Sequence, residues 1–250
     1  MHLQQHDNHK PFMPSFQQRS YKKELLDRND VPFEDIKRNM QELNFINRHL
    51  GGHDITLDGI VALIQQAPVF NKQLSIVEIG CGGGDNLRAI KTWAAHIKLP
   101  VQLLGVDINE ECIAYAKAQP RNTGIEFIHS DYKLTRFPAK PDVIFSSLFC
   151  HHFTDEELVA QLQWMNESSS LGFFINDLHR HPLAYYSIKI LTGLFSKSYL
   201  VKNDAPLSVQ RGFKKEDWKR LFRLAQIENY TCKWRWAFRW LVTYVHNGED

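Results

Sequence analysis

Short apolar runs alternate with amphipathic stretches through the middle of the chain. The runs are rich in Val, Ile, Leu and Phe, as buried strands are, and the stretches between them keep the spacing of one helical face. The predicted strands span residues 75–79, 101–106, 125–129, 142–147 and 171–176, and the predicted helices span 86–97, 109–118 and 154–165. Strands alternating with helices of this length form parallel βαβ units. The pattern therefore predicts an α/β fold with a doubly wound sheet.

A helical pattern precedes the first strand. Pro32 suits the first turn of a helix, and the apolar residues after it recur every three or four positions until Gly51, which is typical of a helix end. The predicted helices of this region span 17–28, 33–50 and 54–66. We therefore expect a helical cap over residues 15–69, preceded by a flexible polar tail at 1–14.

The alternation stops after the fifth strand. Residues 178–212 are rich in Tyr, Ile, Leu and Phe. We interpret them as an insert that forms a buried helix or a lid over a hydrophobic ligand, in preference to a helix on a membrane surface. A helix is predicted next at 214–225, followed by two strand-like stretches at 229–237 and 239–246. Their alternating aromatic residues favour a half-buried hairpin over a surface that stacks nucleic-acid bases.

The first strand runs into a cluster of glycines. Residues 77–84 read V-E-I-G-C-G-G-G, and residues 103–107 read L-L-G-V-D, a second strand that ends in the carboxylate of Asp107. Glycines at a strand-to-helix turn let the backbone approach a ligand without Cβ atoms in the way. A carboxylate after the second strand accepts hydrogen bonds from ribose hydroxyls. The two stretches together indicate a cofactor that contains a nucleoside.

The spacing of the glycines distinguishes between nucleoside cofactors. A nicotinamide fingerprint needs G-x-G-x-x-G, and its third glycine would fall on Asp85. The carboxylate of Glu78 would repel a pyrophosphate but suits an ammonium and a sulfonium. No G-K-[ST] follows, which excludes a phosphate-binding loop. The motif E-I-G-C-G-G-G with Asp107 downstream resembles that of the class I S-adenosylmethionine-dependent methyltransferases.

The resemblance implies a fold, a cofactor and a set of binding residues. It implies a seven-stranded sheet whose last two strands form an antiparallel hairpin, in a methyltransferase domain at 70–250 with 178–212 as a lid or acceptor segment. S-adenosyl-L-methionine would be the cofactor and S-adenosyl-L-homocysteine the product. The expected cofactor-binding residues are Arg48, Glu78, Gly80, Cys81, Gly82, Gly84, Asp107, Ile108, Asp131, Tyr132 and Ser147.

Three of these residues have particular expected roles. In the family a polar residue after the third strand bonds the adenine amino group, and Asp131 matches it, although a simple turn residue is the alternative. Tyr132 is expected to pack on the adenine ring. Arg48, on the helical cap, is expected to pair with the cofactor carboxylate.

Histidines are concentrated where an acceptor should lie. The fourth strand leads into S-S-L-F-C-H-H-F at the carboxyl edge of the sheet, where ligands bind in open α/β folds. His-His after this strand resembles the quinone-modifying branch of the family. We take His151, His152 and His179 as candidate general bases, with anchoring of the loop as the alternative role for the first two. The H-x-H beginning at His179 could bind a metal with Asp177, but two histidines are weak evidence, and we expect no metal.

The expected reaction is in-line transfer of the sulfonium methyl to an oxygen of a small hydrophobic, phenolic or polyketide-like acceptor, with histidine-assisted deprotonation. The formal net charge of +2 gives no strong electrostatic case for binding nucleic acid. The turn after the fourth strand also lacks the [DN]-P-P-[FYW] motif of methyltransferases that modify nucleic acids or protein glutamine. The alternatives are an RNA- or protein-modifying methyltransferase and a non-catalytic binder of S-adenosylmethionine.

Cysteine usage and hydropathy bear on the compartment. The spacings of Cys81, Cys112, Cys150 and Cys232 match neither a zinc site nor a disulfide framework, so reduced thiols are expected. The N-terminus lacks the apolar core of a secretory signal, and no apolar run reaches the roughly 18 residues that span a bilayer. We expect a cytoplasmic protein without stable membrane insertion, whose oligomeric state the sequence leaves open.

Overall fold

The computed structural model describes residues 14–28, 30–66 and 73–246. In these ranges seven strands form one mixed sheet in the order β3-β2-β1-β4-β5-β7-β6. The strands are β1 (Leu74–Ile79), β2 (Val101–Asp107), β3 (Glu126–His129), β4 (Val143–Ser147), β5 (Gly172–Leu178), β6 (Thr231–Arg235) and β7 (Arg239–Val245). Strands β1 to β5 pair in parallel, and β7 is antiparallel to both β5 and β6. The predicted sheet with a C-terminal antiparallel hairpin is confirmed.

Helices pack on both faces of the sheet and over its carboxyl edge. The described α-helices are α1 (Phe33–His49), α2 (Gly52–Ile64), α3 (Asp85–His96), α4 (Glu110–Ala118), α5 (Asp155–Ser168), α6 (Pro182–Phe195), α7 (Tyr199–Arg211) and α8 (Lys215–Leu224). Residues of α2, α3 and α4 form a core on one face, and residues of α5 and α8 form a core on the other. Helices α1, α6 and α7 contribute to cavities at the carboxyl edge.

Strand β1 shows why the sheet is covered on both sides. Leu74 and Ile76 belong to the core with α2, α3 and α4, whereas Val77 and Ile79 belong to the core with α5 and α8. Successive side chains of a strand point to opposite faces. A strand buried on both faces is apolar almost throughout, which is the pattern that predicted it. Glu78 is the buried exception in β1, and its carboxylate lies where the strand approaches the carboxyl edge.

The predicted helix at 17–28 is wrong, because this stretch is irregular. Its backbone amides find partners outside the segment: the N–H groups of Leu25 and Leu26 donate to the carboxylate of Asp204 on α7, at 2.8 and 2.9 Å. The predicted tail at 1–14 lies outside the described residues except for its last residue.

The insert predicted at 178–212 contains two helices, α6 and α7. Pro182 occupies the first turn of α6, where its missing N–H is tolerated. The helix buries Ala184 and Thr192 but exposes large apolar side chains on its other side, among them Ile190 and Leu194. Among the described residues, none of the helices is both long and apolar enough to cross a bilayer.

The C-terminal hairpin buries fewer aromatic side chains than the pattern predicted. Trp240 on β7 is buried, and its indole N–H donates to the carbonyl of Phe213 at 2.9 Å. Trp234 and Trp236 are 44% and 66% exposed. The half-buried hairpin is therefore correct for β7, whereas β6 is the open edge of the sheet.

The N-terminal segment (residues 14–28) is tied across the carboxyl edge by a buried arginine. Arg19 forms an ion pair with Asp155 at 2.7 Å and donates from Nε to the carbonyl of Arg211 at 3.0 Å. Its guanidinium carbon lies 4.3 Å from the centre of the Phe213 ring. A charge this buried is stable only when paired, and these contacts fix where the segment lies.

Two helical glycines give a matched test of this packing. A Cβ on Gly59 of α2 would lie 2.5 Å from the ring of Phe174, whereas a Cβ on Gly193 of α6 meets nothing within 4 Å. We expect Gly59→Ala to lower the free energy of unfolding by about 1–3 kcal/mol through overpacking. Gly193→Ala should raise it by about 0.5–1 kcal/mol through helix propensity. Urea denaturation measures both, and a Gly59→Ala variant as stable as the wild type would contradict the packing described.

Candidate active site

The glycine loop after β1 forms the base of a cavity at the carboxyl edge. Gly80 has φ +68°, a conformation that glycine adopts without strain, and a Cβ there would collide with the ring of Phe149. Gly84 has φ +75° and is the N-cap of α3, with Phe127 directly behind it. The loop is therefore smooth on the cavity side and tightly packed underneath.

The Glu78 carboxylate is buried beside this loop with one oxygen satisfied and one not. Asn86 donates from Nδ2 to Oε1 at 2.7 Å, while Oε2 has no hydrogen-bond partner. Burial raises the pKa of Glu78 well above its ordinary value, and the carboxylates of Asp85 and Asp107 add to the shift. An unpartnered buried carboxylate oxygen favours a cationic ligand. The ammonium of S-adenosylmethionine fits that requirement.

Asp107 joins the end of β2 to the glycine loop. Its Oδ2 accepts from the N–H of Gly82 at 2.8 Å, and its Oδ1 accepts from the N–H of Asn109 at 2.9 Å. Burial raises the pKa of Asp107 in spite of these bonds. Each carboxylate oxygen has a second lone pair, so the side chain can still accept from a pair of ribose hydroxyls.

The cofactor cavity is the space bounded by this loop, the ends of β2 and β4, and α1. Its volume is about 830 Å³, within the range of small-molecule sites. The predicted cofactor-binding residues that line it are Glu78, Gly80, Cys81, Gly82, Asp107, Ile108 and Ser147. His152, predicted as a candidate base, lines it as well.

The remaining predicted cofactor residues lie elsewhere. Arg48 lines a separate groove beside α3. Gly84 supports the loop from below. The carboxylate of Asp131 accepts from the N–H of Lys133 as a turn cap, which matches the alternative role given for it. Tyr132 is buried in the hydrophobic core with its ring 5.0 Å from that of Trp164.

A second cavity, the acceptor cavity, adjoins the first. It has a volume of about 150 Å³ and is enclosed by the N-terminal segment, α1, α6 and α7. Residues that line both cavities are Leu26, Asn39, Leu43, Asn47, Leu148 and His152. The two cavities therefore adjoin along these residues.

Two histidines in the wall of the acceptor cavity are each held by a carboxylate. His151 bonds through Nδ1 to Asp177 of β5 at 2.8 Å, and His152 bonds through Nδ1 to Asp27 at 2.8 Å. Burial alone would raise the pKa of Asp177, but the charge and hydrogen bond of His151 outweigh it and lower that pKa. In the same way His152 and Arg211 lower the pKa of Asp27 to about 2. Each histidine thus has its Nε2 free.

Glu24 is a residue of this cavity that the sequence did not indicate. It is buried on the N-terminal segment, with its carboxylate 3.7 Å from Nε2 of His151 and 3.9 Å from Nε2 of His152. Burial raises the pKa of Glu24 to about 7. The segment has no helical or strand pattern, and two carboxylates three positions apart, Glu24 and Asp27, are too common in sequences to indicate a site.

His179 lies outside both cavities. Its ring packs 5.0 Å from that of Trp240, and its buried Nδ1 has no hydrogen-bond partner. Burial and the charges of His181 and Arg180 lower the pKa of His179 to about 4. This position separates His179 from the other two candidate bases.

Comparison with known proteins agrees with this geometry. Residues 76–169 match a family model described as a methyltransferase domain. The matched residues run from β1 to the end of α5 and include the glycine loop and the His151–His152 pair. No protein of curated function matches the chain in sequence.

Solved structures share the fold. The plantazolicin methyltransferase BpumL, in complex with a monoazolic desmethyl analogue and S-adenosylhomocysteine, is 23% identical with a TM-score of 0.58, covering 80% of this chain and 75% of its own. The magnesium protoporphyrin IX methyltransferase of Synechocystis PCC 6803, with bound S-adenosylmethionine, is 14% identical with a TM-score of 0.56, covering 88% and 93%. The family match agrees with the predicted methyltransferase domain over residues 76–169, and the solved structures share its fold.

Substitution of Asp107 tests the ribose site. Asp107→Ala removes a charged acceptor and leaves the Gly82 amide unpaired. We expect the dissociation constant for S-adenosylhomocysteine to rise roughly tenfold or more, as the loss of hydrogen bonds to a charged group produces. Isothermal titration calorimetry measures it, with Glu126→Ala at an exposed position of β3 as the control. Affinity within threefold of the wild type would show that Asp107 does not hold the cofactor.

Glu78→Gln should change stability and affinity in opposite directions. Glutamine keeps the contact with Asn86 but removes a buried charge. We expect the unliganded variant to melt about 2–4 °C higher at pH 8, as a gain of ~1 kcal/mol produces, and to bind S-adenosylhomocysteine more weakly. The gain should grow with pH, because a carboxyl whose pKa is raised on folding loses stability as pH rises. Calorimetric melting and titration test both, and a lower melting point with unchanged affinity contradicts this role.

Proposed function

We propose that this chain is a class I S-adenosylmethionine-dependent methyltransferase that methylates a hydroxyl oxygen of a small hydrophobic or phenolic acceptor, and that His151 accepts the hydroxyl proton. The observation that carries the proposal is that the two cavities adjoin. Beside the cofactor cavity lies a mainly apolar cavity whose wall holds an imidazole bonded to a buried carboxylate.

The size of the acceptor cavity supports a single aromatic ring. A cavity of about 150 Å³ lined by aliphatic side chains accommodates benzene. The aliphatic residues that line this one are Leu26, Leu43, Ile46, Leu148, Leu178, Ile188, Val201 and Val209. The polar side chains in the wall are Glu24, Asn39, Asn47, His151, His152, Asp204, Ser208 and Arg239. Among them Glu24 and the two histidines lie close together, where they would orient one hydroxyl of an otherwise apolar molecule.

His151 is suited to accept a proton. The Asp177 carboxylate requires Nδ1 of His151 to donate, which leaves Nε2 as the acceptor, and the same carboxylate stabilises the imidazolium that forms. The side chain is fully buried, so water does not compete for Nε2. The bound cofactor supplies a methyl group already activated by its sulfonium. The protein therefore needs to align the acceptor oxygen, exclude water and remove one proton.

Helices α6 and α7 support the role of lid that we propose for residues 178–212. Ile188 of α6 and Val201, Ser208 and Val209 of α7 line the acceptor cavity. The N-terminal segment closes the same cavity through Glu24 and Leu26. An acceptor bound here would be covered by the N-terminal segment and by helices α6 and α7.

The substrates named for the structural neighbours are also small or peptide-derived molecules. The neighbours include methyltransferases of plantazolicin and of magnesium protoporphyrin IX, and a protein described as a putative O-methyltransferase from Nostoc punctiforme, 11% identical with a TM-score of 0.55. They support a small-molecule acceptor in preference to nucleic acid.

The free cysteines in the described residues support our proposal that the protein works in the reducing cytoplasm.

Methyl transfer to a panel of phenols tests the proposal. With radiolabelled S-adenosylmethionine, His151→Gln and Asp177→Asn should each lower turnover about 10²–10⁴-fold, the size of a general-base contribution, with cofactor affinity little changed. His179→Gln is the matched control, because that ring lies outside both cavities.

Other outcomes would point to different functions. Methylation of bulk tRNA or a peptide pool, with none of phenols, would indicate a nucleic-acid- or protein-modifying enzyme. Tight cofactor binding without transfer to any acceptor would indicate a binding protein. Full turnover in both His151→Gln and Asp177→Asn would remove this pair from the mechanism.

A further inference from the structure

Three polar groups converge in the acceptor cavity without bonding one another. The Glu24 carboxylate lies 3.7 Å from Nε2 of His151 and 3.9 Å from Nε2 of His152. The nearest nitrogen and oxygen atoms of the three side chains all lie within 4.8 Å of one another. These separations exceed hydrogen-bond length. A single oxygen atom placed between the groups could lie about 2.8 Å from each of them.

The three groups are held in place from behind. The Nδ1 atoms of His151 and His152 are bonded to Asp177 and Asp27, each at 2.8 Å. Glu24 Oε1 accepts from the hydroxyl of Ser208 on α7 at 2.8 Å. The two imidazoles are bonded on the far side of their rings, which leaves both Nε2 atoms for a ligand. Glu24 Oε1, the oxygen nearer His151, is shared with Ser208, and Oε2 lies nearer His152.

We propose that Glu24 is a catalytic residue: its carboxylate, with Nε2 of His151 and of His152, forms the seat that holds the reacting hydroxyl of the acceptor. This inference rests on the proposed function and adds to it a residue from the N-terminal segment. It also specifies the acceptor as a molecule that presents a hydroxyl on an apolar ring. In the seat, the hydroxyl donates its one proton to Nε2 of His151, and the Glu24 carboxylate and Nε2 of His152 lie beside it.

The step balances with these groups alone. The hydroxyl proton passes to Nε2 of His151. The oxygen lone pair forms the bond to the methyl carbon as the carbon–sulfur bond breaks, and that electron pair stays on sulfur. The Glu24 carboxylate, next to the new imidazolium, stabilises its charge from the side opposite Asp177. No oxidant, reductant or metal enters the balance.

A hydroxyl fits the seat better than a metal ion. The guanidinium of Arg211 lies 3.7 Å from Glu24 Oε1 and 3.2 Å from Asp27 Oδ2. A fixed positive charge beside two of the carboxylates repels a divalent cation. Ser208 already donates to one oxygen of Glu24, which leaves the other oxygen for the ligand. A neutral hydroxyl needs no further charge compensation.

The charged groups around Glu24 determine how its protonation affects the seat. His151 and His152 face it from the turn after β4, Arg211 and Asp204 from α7, and Asp27 from its own segment. Burial raises the pKa of Glu24 to about 7, and His152 and Arg211 oppose that rise. Protonation of Glu24 below that pH would remove the negative charge from the seat.

Glu24→Gln tests the seat while keeping its shape. Glutamine has nearly the same size and can still accept from Ser208. We expect its affinity for S-adenosylhomocysteine to stay within twofold of the wild type, because Glu24 does not line the cofactor cavity. We expect turnover of a phenol to fall roughly 100-fold. The wild-type turnover should also fall as pH drops below about 7 through protonation of Glu24, and turnover of the variant should lack that contribution and depend less on pH in this range. Glu167→Gln, exposed on α5, is the control.

Binding of a phenol can be measured separately from its methylation, which tests the seat independently of the reaction. In the presence of S-adenosylhomocysteine, the absorbance of 4-nitrophenol reports its binding, and we expect Glu24→Gln to weaken that binding at least tenfold. Failure of the wild type to bind 4-nitrophenol, or equal binding by both proteins, would overturn the seat. Binding that depends on Glu24, without methylation of any phenol, would contradict the proposed function but would support the seat as a binding site for a hydroxyl.

Metal analysis of the purified protein tests whether these groups bind a metal ion instead of a hydroxyl. We expect 4-nitrophenol binding to be unaffected by a chelator, and no stoichiometric zinc, manganese or magnesium. A stoichiometric ion, with binding lost in the chelator and restored by that ion, would show that these groups hold a metal and would overturn the proposal.

Discussion

Burial of carboxylates at the carboxyl edge of the sheet is the constraint on which the rest of the site depends. Parallel strands end together there, and helices cover both faces, so acidic side chains at strand ends are removed from water. Each has a different partner. Asp107 receives backbone amides, Asp177 receives His151, and Glu78 receives one amide while keeping one oxygen free. The oxygen without a partner marks the place for a cation.

The same constraint explains how the two cavities differ. The cofactor cavity is formed by backbone turns and carboxylates, which suit a polar and cationic ligand. The acceptor cavity has mainly aliphatic walls, with polar side chains around Glu24 and also at Asn39, Asn47 and Arg239. A molecule that enters it would gain mostly apolar contacts. In the proposed reaction its orientation toward the cofactor depends on the few polar atoms of Glu24 and the two histidines.

Local patterns made the sheet and the glycine loop predictable. The apolar run of β1, the glycine spacing and the carboxylate of Asp107 all lie within short stretches of sequence. The Thr154–Glu157 capping box at the start of α5 is equally local. The position of Arg48 was less predictable, because the direction in which an exposed helical side chain points depends on how the whole helix packs. Glu24 was not predictable, since its place comes from contacts between residues far apart in sequence.

Those distant contacts have a consequence for the order in which the protein is assembled. Residues 14–28 dock onto α7 and the Phe213 region, through Arg19, Asp204 and Arg211. Residues 14–28 are synthesised before the surface that they bind, which follows almost two hundred residues later in the chain. Contacts of such high sequence separation form slowly and late. The acceptor cavity therefore cannot be complete until the N-terminal segment and α7 have both been synthesised.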